Sequence, residues 1–193
     1  MSDAVTTFFA HFCGQGRCFV VDGAPLPVCQ RCFGLYAGAV LTALWLLGGG
    51  LWRCGLPARR VIAAHALLLI AAMLGGLHVL DGGPAWRVTC GLWTGHVALI
   101  WLLCGAVQLR SAAHLRGAPP GVWSRRHTIG ALLAGPLLVL IGLIATAAPP
   151  AQWWCWTAFV IAGAAALLAA ALDVLITLLL VLAARVRRRR GIL

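Results

Sequence analysis

The sequence contains no lysine and no glutamate, and only 10% of its 193 residues are charged. Soluble domains carry about 25% charged residues, so this shortage of charge excludes an ordinary soluble domain. Hydrophobic residues make up 62% of the chain, and the mean hydropathy is +0.96. Several apolar runs reach the roughly 20 residues that a helix needs to cross a bilayer. The composition therefore predicts an integral membrane protein.

The sequence also lacks the short motifs of several large enzyme classes. It has no glycine-rich nucleotide fingerprint, no paired carboxylates, no defensible Ser-His-Asp arrangement and no Cys-x-x-Cys-His haem attachment. The residues alone therefore assign no reaction.

Charged and turn-forming residues divide the apolar sequence into five predicted membrane helices. We place them at about 33–52, 61–80, 91–109, 128–148 and 154–183. The fold class that follows is an all-α, polytopic membrane helical bundle with one domain. Within it, residues 1–32 form a cysteine-rich cap, residues 33–184 the helical bundle and residues 185–193 a basic tail.

Arginine is concentrated in every second connection between these helices. The first connection, the third connection and the C-terminal tail are arginine-rich, whereas the other two connections hold little charge. The positive-inside rule therefore predicts a multi-pass protein of the cytoplasmic (inner) membrane, with its N-terminus outside and its C-terminus inside. The cap and residues 81–90 should then lie on the same side. We expect the arginine tail to bind anionic lipid rather than nucleic acid.

Four of the chain's eight cysteines precede the first predicted helix, in the stretch HFCGQGRCFVVDGAPLPVCQRC. A Cys-x-x-Cys pair, with His or Cys about 16 to 18 residues upstream, has the usual spacing of a zinc site. The candidate ligands are His11, Cys13, Cys29 and Cys32. The cap shows no apolar core of its own, so we expect bound metal, most simply zinc, to supply its folding free energy.

Two other interpretations of the same cysteines remain open. Outside the cytoplasmic membrane cysteines tend to oxidise, and a Cys-x-x-Cys pair at a helix N-terminus beside Arg31 has a stabilised thiolate. With Cys13 and Cys18 as a second pair, the layout is typical of a thiol oxidoreductase that passes electrons to a quinone. Alternatively, the cysteines form structural disulfides with no turnover. Cys104, deep in the third helix, is expected to pack in the core.

The run RCFVVDGAPLPVCQRCFGLYAG resembles an uncharacterised bacterial and archaeal membrane-protein family, the domain of unknown function two-zero-eight-five. A second element, LDGGPAWRVTCGLWTG, resembles a shorter motif of that family. The resemblance implies the membrane fold and the location of the site, and no established activity. The family has serine where Cys18 stands, so we do not count Cys18 among the metal ligands. The matching positions of the first run are Arg17, Phe19, Gly23, Leu26, Pro27, Cys29, Arg31, Cys32, Gly34, Tyr36 and Gly38.

A second polar cluster is predicted where helices two and three meet the outer surface. Asp81 and Arg87 either form an ion pair that closes the loop or belong to an outward-facing pocket beneath the cap, which a transporter or lipid-handling protein would use. We place His78 and His96 about one turn inside the helix ends, and either could be a further metal ligand. Arg17 and Arg31 belong to the same predicted pocket.

Small residues should bring the two polar clusters together. Gly34-x-x-x-Gly38 opens the first helix and Gly91-x-x-x-Gly95 opens the third, and this spacing lets two membrane helices pack with their backbones close.

Asp173 is an acid within the apolar sequence of the last helix. An unpaired charge inside the membrane costs about 2.5–3.5 kcal/mol on insertion scales. We consider a protonated, hydrogen-bonded core aspartate, a contact to a partner subunit of a larger membrane complex, or a step in a proton path. His65 should lie about 10 Å closer to the cytoplasmic surface, so a direct pair with Asp173 is not expected.

Overall fold

The computed structural model describes Thr7, Phe9 and residues 17–21, 23–76, 79–113, 119–147 and 153–189. Five long helices account for most of these residues and confirm the all-α membrane bundle. They are α1 (Gln30–Gly48), α2 (Arg59–Gly76), α3 (Gly83–Ala112), α4 (Arg125–Ala147) and α5 (Trp153–Arg189). Four of them, α1, α3, α4 and α5, are long and apolar enough to cross a membrane.

Helix α3 begins eight residues before the predicted position. Gly83 has a φ of 84°, a left-handed conformation that glycine adopts readily. Proline follows in the first turn, where its missing N–H removes no helical hydrogen bond. The chain therefore turns directly from Asp81 into a helix of 30 residues. Most of the predicted loop 81–90 is helical.

Helix α3 is the centre of the bundle, because it contacts each of the other four long helices. The closest approach of α3 is to α1. There, the glycines of the two predicted motifs lie against the backbone of the opposite helix. A Cβ atom at Gly91 would collide with the carbonyl oxygen of Arg31, and one at Gly95 would collide with that of Leu35. The predicted close packing of these two helices is confirmed.

Residues 18–21 and 24–29 of the cap form a β-hairpin, which was not predicted. Strand β1 (Cys18–Val21) pairs antiparallel with β2 (Ala24–Cys29), and Gly23 takes a φ of 77° in the turn.

The hairpin also contradicts the expectation that this segment has no apolar core. Val21, Leu26 and Val28 are almost fully buried against the bundle. Phe19 packs edge-on against Phe33 of α1, whose ring contacts Trp156 of α5. Burial of these apolar side chains therefore contributes to the stability of the hairpin.

The opposite end of the bundle has a separate apolar cluster. A 3-10 turn, Leu51–Arg53, follows α1, and Leu46, Leu51 and Ile100 are fully buried beside it. Cys104 is 0% exposed in this cluster, which confirms its predicted place in the core. Trp45 and Trp123 contact each other at its edge.

Candidate functional site

The hairpin and the start of α1 gather three cysteines. Cys18 and Cys29 are Cα partners in the antiparallel ladder, and the backbone N–H of Gln30 donates to the carbonyl of Arg17 at 3.0 Å. Cys29 is the N-cap residue of α1, and Cys32 lies in its first turn. Cys29 is buried, whereas Cys32 is half-buried. Cys29 therefore has one cysteine across the hairpin and another one helical turn along the chain.

Cys32 and Cys90 line one small cavity of about 190 Å³ between α1, α2 and α3, with Arg31 beside them. The guanidinium of Arg31 donates to the carbonyl of Gly75 in the last turn of α2. Carbonyls at a helix C-terminus have no partner within the helix, so a cation there is favourable. Arg31 therefore holds the C-terminal end of α2 next to Cys32 and Cys90.

Asp81 lies between two arginines at the same end of the bundle. Its Oδ2 is 2.6 Å from Nη2 of Arg87 and 2.9 Å from Nη1 of Arg17, and its Oδ1 accepts from Nε of Arg87 at 3.0 Å. The contact with Arg17 brings the cap and the α2–α3 connection together, as the predicted topology requires. The predicted ion pair of Asp81 with Arg87 is present, and Arg17 extends it.

The charge on Asp81 is stabilised by these contacts. The hydrogen bonds from Arg87 are the largest cause that lowers the pKa of this carboxyl, from 3.8 to about 2, with smaller contributions from the backbone N–H of Gly83 and from Arg17. Partial desolvation opposes the shift. Arg87 also donates to Oε1 of Gln30 at 3.2 Å, a contact that sequence reasoning missed.

Three of the predicted site residues, His11, Cys13 and His78, lie outside the described residues. Within the described part of the chain, no group of three or more His, Cys, Asp or Glu side chains could hold a metal ion. The proposed zinc site therefore remains a prediction that requires ligands from residues 11–13.

His96 is not near the outer end of its helix, which corrects its predicted place in the Asp81/Arg87 pocket. Because α3 begins at Gly83, His96 lies about 20 Å along the helix at 1.5 Å per residue. It is 3% exposed and packs against His65 of α2, with ring centroids 5.4 Å apart.

Asp173 forms an ion pair, and an ion pair was not among the three roles predicted for this residue. Arg110 donates to both carboxylate oxygens, at 2.6 Å and 3.0 Å. It also contacts Oγ1 of Thr177 at 3.4 Å, one turn further along α5. Arg110 was placed in a connection, and the extension of α3 to Ala112 brings it opposite Asp173 instead.

Comparison with known proteins gives one family. Residues 13–101 match the family model described as predicted membrane protein (DUF2085). No curated protein and no solved structure matches the chain. The matched region contains the cysteines at the start of α1, the glycine contacts of α1 with α3 and the Arg17–Asp81–Arg87 cluster. The resemblance indicated by the two motifs is therefore confirmed over residues 13–101, which are similar to the DUF2085 predicted membrane proteins.

Proposed function

We propose that this integral membrane protein is a thiol–disulfide oxidoreductase whose reactive pair is Cys29 and Cys32. The observation that carries the proposal is the position of Cys29 between two cysteines, Cys18 across the hairpin and Cys32 in the first turn of α1. A cysteine with two possible partners can exchange one disulfide for another.

The backbone placement of both pairs, across an antiparallel ladder and at a helix N-terminus, is compatible with disulfide formation. Residues directly opposite each other in an antiparallel ladder have Cα atoms about 4.5–5.5 Å apart, within the range that a disulfide spans. The Cys-x-x-Cys pair lies at a helix N-terminus, whose partial positive charge favours an anionic thiolate. No acidic residue lies in the first turn of α1 to oppose this effect.

The difference in burial suggests which sulfur reacts first. Cys32 lines the cavity, so its thiolate attacks a substrate disulfide, forms a mixed disulfide and releases one substrate thiolate. The buried Cys29 thiolate then attacks the sulfur of Cys32, which forms the Cys29–Cys32 disulfide and releases the second substrate thiolate. Two electrons pass from the protein dithiol to the substrate. In the opposite direction, the Cys29–Cys32 disulfide would accept two electrons from a substrate dithiol, which becomes a disulfide, and a membrane quinone would then reoxidise the protein dithiol by taking two electrons and two protons.

Redox titration in glutathione buffers, followed by alkylation and mass spectrometry, tests this proposal. We expect a reversible two-electron Cys29–Cys32 disulfide in the purified protein. Cys29→Ser should accumulate glutathione on Cys32, because the sulfur that resolves the mixed disulfide is gone, whereas Cys32→Ser should accumulate much less on the buried Cys29. Cys104→Ser, in the distant apolar cluster, is the control and should titrate like the unaltered protein. Equal adducts in both variants, or no reversible disulfide, would exclude the proposed order of attack.

A metal-stabilised cap is the second candidate, favoured by the presence of Cys29 and Cys32 on one turn of α1. In that case His11 and Cys13 would complete a zinc site in the cap. Elemental analysis of the same preparation separates the two candidates. About one zinc per chain, lost in Cys29→Ser, would replace the oxidoreductase proposal with a structural role. The protein would then be a small subunit of a larger membrane complex.

We infer that the cysteine site lies on the extracytoplasmic face of the inner membrane. This inference is supported by the alternation of arginine along the sequence and by the contact of Arg17, which precedes the hairpin, with Asp81. It fits thiol chemistry, since disulfides persist in oxidising compartments. A pocket for transport or lipid handling at Asp81 and Arg87 is less favoured, because the charges of these residues satisfy each other.

A further inference from the structure

Among the residues that the structure describes, the hairpin end of the bundle carries more positive than negative charge. Arg17, Arg31 and Arg87 lie there with a single described carboxylate, that of Asp81. The other aspartate in the described part of the chain is paired at the opposite end. One carboxylate neutralises one guanidinium, so this group of arginines keeps a net positive charge.

Two helix N-termini add to this positive charge. Both α1 and α3 begin at the hairpin end, and neither helix has an acidic residue in its first turn. The exposed N–H groups of a helix N-terminus are equivalent to about half a positive charge. The partial charges of both helices therefore reinforce the arginines on the side of the cysteines.

The contacts of Arg17 and Arg87 place them at the reactive pair. Nη1 of Arg87 donates to Oε1 of Gln30 at 3.2 Å, and Gln30 follows Cys29 directly in the chain. The backbone N–H of Gln30 donates to the carbonyl of Arg17 at 3.0 Å. Both arginines are therefore held at the start of α1, where Cys29 is the N-cap residue.

Arg31 places a charge beside the sulfur that attacks the substrate. It lines the cavity of about 190 Å³ together with Cys32, and the other lining residues carry no charge. This volume is smaller than the range of about 300–1,000 Å³ typical of drug-sized ligands, so the cavity fits a small molecule. A substrate that reaches Cys32 therefore approaches a guanidinium group.

Arg17 is more accessible to a substrate than Arg87 is. The side chain of Arg17 is 48% exposed, compared with 15% for Arg87. Its contact with Asp81 is made through Nη1. A guanidinium has five N–H donors in a planar fork that matches a carboxylate, so Arg17 can receive a second carboxylate from solvent.

We propose that the substrate of the Cys29–Cys32 pair is a small thiol or disulfide that carries carboxylate groups. Arg17 and Arg31 attract the carboxylates, and the substrate sulfur meets Cys32. A cationic thiol of similar size is repelled by the same charges. This inference rests on the proposed oxidoreductase activity and adds the charge of its substrate.

Oxidation of the reduced, full-length protein by three small disulfides in uncharged detergent tests the proposal. The probes are dithiodipropionate, which is dianionic, bis(hydroxyethyl) disulfide, which is neutral, and cystamine, which is dicationic. The Cys32 thiolate attacks the probe and releases one half as a thiolate, and Cys29 then displaces the other half to form the Cys29–Cys32 disulfide. Alkylation and mass spectrometry follow the reaction.

The probes also differ in their intrinsic reactivity toward thiols, so each rate is divided by the rate of the same probe with free mercaptoethanol. We expect the dianionic probe to react about ten-fold faster than the dicationic probe at about 0.1 M salt, where charges within about 10 Å remain effective. The neutral probe should lie between them. At about 1 M salt, the ratio of the two rates should approach one.

Variants of Arg17 assign the effect to this end of the bundle. Arg17→Gln should lower the ratio about three-fold, because one nearby unit charge is removed. Arg17→Lys keeps the charge and should keep the ratio. Arg59→Gln is the matched control, because Arg59 begins α2 about 26 Å from Gly76 at the hairpin end, and it should leave the ratio unchanged.

The outcomes separate this inference from the proposed function. Equal normalised rates for the three probes would overturn the inference and leave the oxidoreductase proposal intact. Equal ratios in Arg17→Gln and Arg59→Gln would also overturn it, since the selectivity would not arise at the hairpin end. If no probe oxidised Cys29 and Cys32, the oxidoreductase activity itself would be excluded, and the inference with it.

Discussion

The two ends of the bundle are joined in different ways. At the hairpin end, α1 and α3 touch through glycine and backbone, and Asp81 joins the hairpin to α3 through two arginines. At the opposite end, Arg110 of α3 forms an ion pair with Asp173 of α5. The hairpin end therefore combines close backbone packing with two ion pairs, whereas the other end combines a buried apolar cluster with the neutralisation of one charge on α5.

This difference matters for the proposed chemistry. A reactive cysteine pair needs neighbouring structure that keeps its two sulfur atoms in place. The glycine contacts place Arg31 directly against Gly91, and both residues line the cavity that contains Cys32 and Cys90. At the opposite end, Cys54 and Cys104 are buried in the apolar cluster. Rigid packing thus coincides with the candidate site.

The largest expected effect comes from a side chain inserted between α1 and α3. Gly95→Leu should lower the free energy of unfolding by about 3 kcal/mol or more, because its Cβ atom meets backbone that cannot move aside. Gly105→Leu is the matched control, since nothing lies within 4 Å of a Cβ atom at that position of α3. Denaturant titration in mixed micelles measures both. Similar losses for the two variants would show that α1 and α3 do not pack at Gly95.

Removal of one charge at the other end should have a smaller effect. Arg110→Leu leaves Asp173 unpaired and should cost about 2–3 kcal/mol, close to the insertion cost of an aspartate in a membrane helix. The double variant Arg110→Leu with Asp173→Leu should recover most of that loss, because no charge is stranded. Additive losses in the same titration would mean that the two side chains do not interact.

The smallest expected effect is the contribution of Asp81 to the pH dependence of the protein's stability. Its folded pKa of about 2 lies below its ordinary value of 3.8, so the stabilisation is present above about pH 4 and is lost as the pH falls through about 2. Asp81→Asn should have a lower thermal midpoint at neutral pH and should converge with the unaltered protein near pH 2. A constant difference between the two proteins across this range would exclude Asp81 as the titrating group.

Hydropathy and charge predicted the number of long helices and the meeting of the two polar clusters. The start of α3 was missed because Pro84 interrupts the apolar pattern, although proline is common in the first turn of a helix. The hairpin was missed because Pro25 and Pro27 argue against a strand, while Asp22-Gly23 is a typical hairpin turn sequence.

The partners of individual polar side chains were harder to predict. Arg110 ends an apolar run, so it was placed outside the membrane helix, and nothing in its local sequence points to a residue 63 positions away. The same holds for His65 and His96, which lie on different helices. Such contacts depend on how each helix is rotated about its axis and on how deep each residue lies in the membrane. Hydropathy measures neither quantity.

The length of α5 has a consequence for the bilayer around the protein. Its apolar stretch, Cys155–Val186, has 32 residues and is about 48 Å long at 1.5 Å per residue. A tilt of 40°, near the upper limit of observed helices, accommodates only about 39 Å in a hydrocarbon layer of about 30 Å. Therefore, either several apolar residues of α5 lie outside that layer, or the bilayer is thicker around the helix. This hydrophobic mismatch predicts that the protein prefers thick bilayers, with Arg185 extending toward the headgroups.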